Sequence, residues 1–292
     1  MIKNLTIDAV TKYIEENIEI KNIDIDALVS YSGYSRRYLQ KIFKDKIGVP
    51  IGKYIQLRRI TRAAFLLRLS NLSISSISTK LCYDSQQTFT REFKKNTGYT
   101  PLQYRKNKVW TFRNMTGYRD TSDLFPTPKI YHVDREIIDG FLFSHKDKIP
   151  FTGKESEERV RVINEKLVNK DTLFISNEIY LEKKTSNEVL INTIIWTDPQ
   201  HSNTQLEIKS GNYACFSFIG SHESYARFIY HVYTSLLPFY NLDKRDGVDI
   251  EIISKEDSST FSFQYFVPIF EKENISLPYN IYLRHQYNCA NK

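Results

Sequence analysis

Apolar residues recur at helical spacing along the first third of the chain and alternate at strand spacing along the rest. From Thr6 to about Asn17, Ile7, Val10 and Ile14 fall on one face, with Ile18 just beyond, which predicts an amphipathic helix capped by Thr6. Asp24 or Asp26 can cap a second helix that buries Leu28 and Val29 and ends at Ser32-Gly33-Tyr34, a turn that glycine tolerates. Ser35 can cap a third. Ile51 to Leu69 reads as one long helix, since no Pro or Gly interrupts it after Gly52. A helix from about Ser73, carrying Ile74, Ile77 and Leu81, and a turn at Cys82-Tyr83-Asp84 lead to a further cap at Ser85.

Two of these segments carry one pattern at a spacing of 50 residues. Ser35-Arg36-Arg37-Tyr38-Leu39-Gln40-Lys41-Ile42-Phe43-Lys44 aligns with Ser85-Gln86-Gln87-Thr88-Phe89-Thr90-Arg91-Glu92-Phe93-Lys94, and the register extends to Gly48 with Gly98 and Tyr54 with Tyr104. Two copies are too few for a solenoid but suit a duplicated binding unit. The helix between them, at ~1.5 Å per residue, is about 30 Å long, close to the ~34 Å of one DNA turn.

After Tyr104 the pattern changes. Pro126 and Pro128 punctuate a linker expected at 108–127, separating an all-α domain at 1–107 from an α+β domain at 128–292. In the latter, strand-like runs fall at 130–143, 178–183, 189–196, 211–219, 248–253 and 261–270, with helical stretches at 154–167 and 222–240. That order predicts a mostly antiparallel sheet with two long helices.

Composition fits a soluble globular protein, with 41% hydrophobic and 26% charged residues in 292. The net charge of +7 hides a division: residues 1–119 hold 22 Lys and Arg against 9 Asp and Glu, a balance of +13, and the remainder carries −6. The basic partner therefore belongs to the first domain, and no apolar run or basic amphipathic anchor points to a membrane. Cys82, Cys215 and Cys289 are odd in number and far apart, which implies a reducing compartment and small buried residues; with no signal peptide, the expected location is cytoplasmic, on the nucleoid.

On a helix, residues three and four apart share a face, so Arg37, Gln40, Lys41 and Lys44 point together, as do Gln87, Thr90, Arg91 and Lys94. Arg and Lys donate to guanine O6 and N7, and Gln pairs with adenine N6 and N7, the hydrogen-bond groups of the major groove. One such face could be a solvated surface; two in register point to duplex DNA.

Gly33-Tyr34-Ser35, Leu39-Gln40-Lys41-Ile42-Phe43-Lys44 and Asp84-Ser85-Gln86-Gln87-Thr88-Phe89-Thr90-Arg91 with Phe93-Lys94-Lys95 resemble the tandem helix-turn-helix domain of AraC/XylS-family transcription regulators, in the Rob-like branch. The resemblance implies base contacts from Arg37, Gln40, Lys41, Gln86, Gln87, Thr88 and Arg91. It implies phosphate contacts from Ser35, Arg36, Lys44, Ser85, Thr90, Lys94 and Lys95. Arg37 stands where the branch has Trp and Lys41 where it has Arg, so the first copy departs more than the second. A carboxylate beside the groove repels phosphate unless it accepts from a cytosine amino group, and Glu92 is expected to be solvated at the helix margin.

Residues 128–292 resemble the gyrase-inhibitor-like effector-binding domain, through Gly211-Asn212-Tyr213-Ala214-Cys215-Phe216, Leu237-Pro238-Phe239-Tyr240-Asn241-Leu242, Gly247-Val248-Asp249-Ile250-Glu251 and Gln264-Tyr265-Phe266-Val267-Pro268-Ile269. This implies two similar strand-helix-strand halves around an aromatic cleft for a hydrophobic small molecule, with Trp196, Phe216, Tyr240, Gln264 and Phe266 as pocket candidates. Related cation-binding pockets carry Glu where Gln264 stands, which favours neutral or anionic ligands unless Glu251 or Glu207 enters the cleft.

The six histidines are scattered without metal-ligand spacing, and no phosphate loop or nucleophile elbow occurs, so no enzyme, metal or cofactor is expected. The reading is a transcription activator that binds duplex DNA as a monomer, with RNA polymerase as the partner the resemblance implies and defence or virulence genes as targets. A weakly specific architectural DNA binder, or a small-molecule-binding or hydrolytic protein localised to DNA, remains open.

Overall fold

The computed structural model describes residues 2–112, 114–117, 126–148, 156–181, 188–257, 259–270 and 279–281. Contacts divide the chain into two compact units. One holds Met1–Asn107, Phe112–Phe125 and Tyr233–Asn241, the other Lys108–Thr111, Pro126–Val232 and Leu242–Lys292.

The first unit contains seven helices among its described residues up to Asn107: α1 (Ile2–Asn17), α2 (Ile25–Ser32), α3 (Arg36–Ile47), α4 (Ile51–Leu69), α5 (Ile74–Lys80), α6 (Gln86–Thr97) and α7 (Pro101–Lys106). The α1 helix starts before Thr6 because nothing in Ile2-Lys3-Asn4-Leu5 breaks a helix, so Thr6 is not its cap. Ile7, Val10 and Ile14 of α1 pack with Leu28, Leu39, Phe43 and Tyr54 in one core. In the second copy, Phe89 and Phe93 are buried with ring centroids 5.7 Å apart, and Tyr104 of α7 meets Phe93 at 5.2 Å. Glycine closes both repeated helices, with Gly48 at φ 85° and Gly98 at φ 83°, a left-handed turn that side chains resist.

The connecting helix α4 is held on its other flank by charge. Arg58, 1% exposed, donates to both carboxylate oxygens of Glu15 at 2.7 Å, and Glu19 forms ion pairs with Arg62 at 3.0 Å and with Lys80 of α5 at 2.8 Å. These three pairs tie α4 and α5 to Glu15 and Glu19, within and just beyond α1.

The second unit is a curled sheet with the strand order β5-β2-β4-β3-β7-β8-β6-β1-β9. Its members are β1 (Lys129–Val133), β2 (Glu136–Lys148), β3 (Thr172–Leu181), β4 (Glu188–Trp196), β5 (Thr204–Ile208), β6 (Gly211–Gly220), β7 (Asp249–Lys255), β8 (Phe261–Pro268) and β9 (Tyr279–Ile281). All pairings are antiparallel except β1 with β9. Helix α8 (Glu157–Leu167) follows β2, and α9 (His222–His231) follows β6. The expected duplication is visible in that order: β2-α8-β3-β4 and β6-α9-β7-β8 each form a half, and the halves join where β3 pairs with β7.

Several expected boundaries move. The run 130–143 is two strands parted at Asp134-Arg135, and 178–183 is the end of β3, with 182 and 183 outside the described residues. Helix 222–240 contains a π-turn at Val232–Leu236 before a short helical turn at Leu237–Phe239. The start of the expected 154–167 helix, part of the linker, Cys289 and His285 also lie outside the described residues. Cys215 is buried, which pushes its thiol up to about 12, whereas Cys82 is half-buried.

Candidate nucleic-acid interface and effector domain

Each repeated helix is built the same way. Ser35 Oγ accepts from the Tyr38 amide at 3.4 Å, and Ser85 Oγ from the Thr88 amide at 3.1 Å, satisfying an N–H that the first turn would leave open. Ser85 also donates to Thr88 Oγ1 at 3.0 Å, so its hydroxyl already serves the helix end. Leu39, Ile42, Phe43 and Ile47 bury one face of α3; Phe89, Phe93, Asn96 and Thr97 bury one face of α6.

The opposite faces are open. Arg36, Arg37, Gln40, Lys41 and Lys44 are exposed on α3, and Gln86, Gln87, Arg91, Lys94 and Lys95 on α6, with Thr88 and Thr90 half-buried at the edge. Arg36 lies 3.7 Å from Asp26, an exposed pair of little energetic weight. No ion pair among the described residues engages Arg37, Lys41, Lys44, Arg91, Lys94 or Lys95. Each helix thus offers a cationic face carrying Gln, on which Arg36 alone has an acidic partner among the described residues.

Glu92 departs from its expected place. It is half-buried rather than solvated, and its carboxylate accepts from Gln56 Nε2 of α4. Gln56 Oε1 accepts from Lys53 Nζ at 2.9 Å, and Lys53 Nζ reaches Asn96 Oδ1 at 3.4 Å. Sequence reading missed Gln56, Lys53 and Asn96, because Gln56 reaches Glu92 and Lys53 reaches Asn96 only after α4 and α6 pack.

In the second unit the proposed pocket residues do not converge. Trp196 and Phe266 sit in one core with Phe174, Tyr213, Cys215 and Ile250, and Trp196 stacks on Phe174 at 5.5 Å while its indole donates to Ser176 Oγ at 3.0 Å. Phe216 is buried on the other sheet face, opposite Tyr265. Gln264 is exposed, and Tyr240 groups with the first unit. These placements follow from strand alternation: Phe216 and Phe266 belong to paired strands but not to one face.

The helix-bearing face instead gathers aromatics around a carboxylate. Tyr225 stacks on Phe263 with centroids 3.8 Å apart, Phe218 on Phe228 at 4.8 Å, and His222 meets Phe261 at 4.3 Å. Beneath them Glu251, 2% exposed, accepts from Arg159 Nη2 at 2.9 and 2.8 Å, from Tyr225 Oη at 2.8 Å, and from Asn177 Nδ2. Burial, then the Glu251 charge, holds the Tyr225 hydroxyl well above its ordinary value. Burial and Arg159 together push His145 down to about 4, so it is neutral near pH 7. Glu207 stays at the surface, paired with Arg135 at 2.6 Å. Arg135 and Glu207 are both exposed, whereas Arg159 and Glu251 form a closed, desolvated pair.

Among the described residues no cluster of His, Cys, Asp and Glu could hold a metal ion, and no helix is long and apolar enough to cross a membrane. What the two units define is a DNA-binding module with two helix-turn-helix copies, on one chain with a duplicated sheet-and-helix domain.

Known proteins place that class more narrowly. Residues 28–107 match the helix-turn-helix domain family, and residues 160–269 match the GyrI-like small molecule binding domain family. The chain is 43% identical over 271 residues to the F1 operon positive regulatory protein of Yersinia pestis, covering 92% of this chain and 90% of that one. It is 30% identical to the transcriptional regulator Rob of Salmonella typhimurium, covering 82% and 87% of the two chains, and 30% identical to the right origin-binding protein of Escherichia coli, covering 78% and 83%. The chain belongs to the AraC family of DNA-binding transcription regulators, a non-enzymatic family, in its Rob-like branch with a GyrI-like C-terminal domain.

Proposed function

We propose that this regulator is a sequence-specific activator that binds duplex DNA as a monomer, placing α3 and α6 in adjacent major grooves. The observation that carries the reading is the pair of matching exposed faces, Arg37-Gln40-Lys41 and Gln87-Arg91 with Gln86, on helices capped alike and joined by the 19-residue α4. Other helix-turn-helix proteins obtain two half-sites by dimerising; here one chain carries both. Arg37, Gln40, Lys41, Gln86, Gln87, Thr88 and Arg91 face the bases, and Arg36, Lys44, Thr90, Lys94 and Lys95 the phosphates. Activation is supported by the likeness to a protein named as a positive regulator, and RNA polymerase is the partner that activation requires. The protein acts in the cytoplasm, on the nucleoid.

Residues 1–107 form the DNA-binding domain and 128–292 the effector-binding domain in this reading. The effector is a small hydrophobic molecule, neutral or anionic, because the buried carboxylate of Glu251 is already satisfied by Arg159, Tyr225 and Asn177. A cationic ligand would have to displace Arg159.

Duplexes selected from a random pool, compared with scrambled duplexes at ~0.15 M salt, test the DNA reading. A specific complex of one chain per duplex is expected. Equal affinity for both sets, or two chains per specific site, overturns it. Paired cationic and anionic amphiphiles of equal chain length, followed by intrinsic fluorescence, test the effector class, and tighter binding of the cation overturns it.

A further inference from the structure

At one position the second recognition helix meets the connecting helix through polar groups where the first presents an apolar side chain. Fifty residues before Glu92 the equivalent position is Ile42, 8% exposed and part of the first core. At Glu92 that apolar contact is replaced by the hydrogen bond from Gln56, backed by Lys53 and, through Lys53, by Asn96. Asn96 Nδ2 in turn donates to the Glu92 carbonyl at 2.8 Å, and its own carbonyl accepts from Asn114 Nδ2 at 3.0 Å, so the network grips α6 at two successive turns. A cleft of about 340 Å³, lined in part by Ile23, Ile55, Arg59, Tyr83, Thr88 and Glu92, opens between the two copies here. Gln56 and Glu92 both line that cleft, and their bond joins α4 to α6 there, beside the Lys53–Asn96 contact between the same two helices.

We propose that Glu92 is a positioning residue: through Gln56 it fixes the rotation of α6 on α4 and so sets the half-site spacing that the protein accepts. The inference rests on the two-groove reading above. A hydrogen bond between half-buried side chains has a defined direction, whereas apolar contact tolerates sliding. Thr88 and Arg91, on the same helix as Glu92, are base-facing in that reading, so a turn of α6 moves both relative to α3. The carboxylate is also drawn away from the phosphates, which removes the repulsion that Glu92 would otherwise cause.

The test uses full-length protein and a selected duplex bearing both half-sites, the same duplex with one base pair inserted between them, and versions with either half-site scrambled. One inserted base pair turns one half-site against the other by about 36°. Wild type is expected to lose about tenfold or more on insertion, on the scale of a mismatched base pair. Glu92→Ala and Gln56→Ala should each lose about threefold or less on insertion, the two together should behave like either alone, and the exchange Gln56→Glu with Glu92→Gln should restore discrimination. Urea midpoints for each variant confirm that it is folded, and the charge-neutral exchange retains both side-chain sizes. Undiminished spacing discrimination in both alanine variants overturns the proposal. So does a Glu92→Ala effect confined to one base pair with Gln56→Ala silent, since Glu92 would then be a base reader. Wild type indifferent both to the insertion and to scrambling of the first half-site would instead overturn the two-groove reading, and this inference with it.

Discussion

Arg159 places one guanidinium nitrogen 2.9 and 2.8 Å from the two carboxylate oxygens of Glu251, and the residues come from opposite halves of the duplicated domain. Arg159 lies on α8 and Glu251 on β7, beside the β3–β7 join. Asn177 of β3 and Tyr225 of α9 complete the set, so each half contributes two of the four groups. The pair both stitches the halves and keeps the carboxylate unavailable to a ligand.

Breaking that pair on one side should cost far more than replacing it whole. Arg159→Ala leaves a buried carboxylate without its cation, for which about 3–5 kcal/mol of lost stability is expected. The double change Arg159→Met with Glu251→Leu should recover much of it, since it strands no charge. Urea unfolding of the single and double variants measures the difference; equal losses would show that packing, and not charge, dominates.

Acid should weaken the second domain through His145. Its folded value is about 4 against an ordinary 6.5, lowered by burial and then by Arg159, so the unfolded chain takes the proton first as pH falls. Stability contributed by neutral His145 is complete above about pH 6.5, declines from there to about pH 4, and amounts to at most about 3 kcal/mol. His145→Phe, beside the stacked Phe143 at 5.9 Å, should reduce the slope of the stability profile across that window, the remainder coming from His222, which burial and then Arg159 also push down to about 4. An unchanged slope in denaturation from pH 7 to pH 4.5 would count against this.

What the sequence revealed and what it hid divide by range. Ser35, Ser85, Gly48 and Gly98 act on neighbours within a few residues, so the caps and the repeat they bracket were readable from order alone. The three-residue β9 is too short to show alternation, β5 alternates over Leu206-Glu207-Ile208 only, and the π-turn at 232–236 has no sequence mark distinct from the helix around it. Phe218 and Phe263 lie on neighbouring strands, yet their convergence with Tyr225 and Phe228 depends on where α9 docks. Pocket candidates chosen by motif therefore scattered over both sheet faces. Glu92 was misplaced for the same reason, since its partner Gln56 is 36 residues earlier.

Arg91 and Lys94 are both exposed on α6, and the proposed reading gives them different roles, base and phosphate, that their alanine variants should separate. Arg91→Ala should abolish sequence preference at the second half-site with the fold intact, because a groove-facing Arg carries about 1–3 kcal/mol of base discrimination. Lys94→Ala should weaken binding evenly across sequences and reduce the salt slope by about 1. Titrations on selected and scrambled duplexes at several salt concentrations distinguish the outcomes, and an Arg91→Ala protein that footprints normally refutes the first.

The two half-sites should be read unequally, and one substitution should narrow the gap. Lys41 is exposed on α3, one turn beyond Arg37, and presents a rotatable point charge; Arg91, its counterpart 50 residues on, presents a planar fork that can engage O6 and N7 of one guanine together. A Lys at that place contributes affinity with little geometric demand on the base. Scrambling the first half-site should therefore cost wild type less than scrambling the second. Lys41→Arg restores the fork without changing charge, so its salt slope should stay the same while the penalty for a scrambled first half-site rises by about tenfold, within the range of one good bidentate contact. A variant that binds every duplex more tightly by the same factor would show that Lys41 faces phosphate, and that α3 contributes position without reading bases.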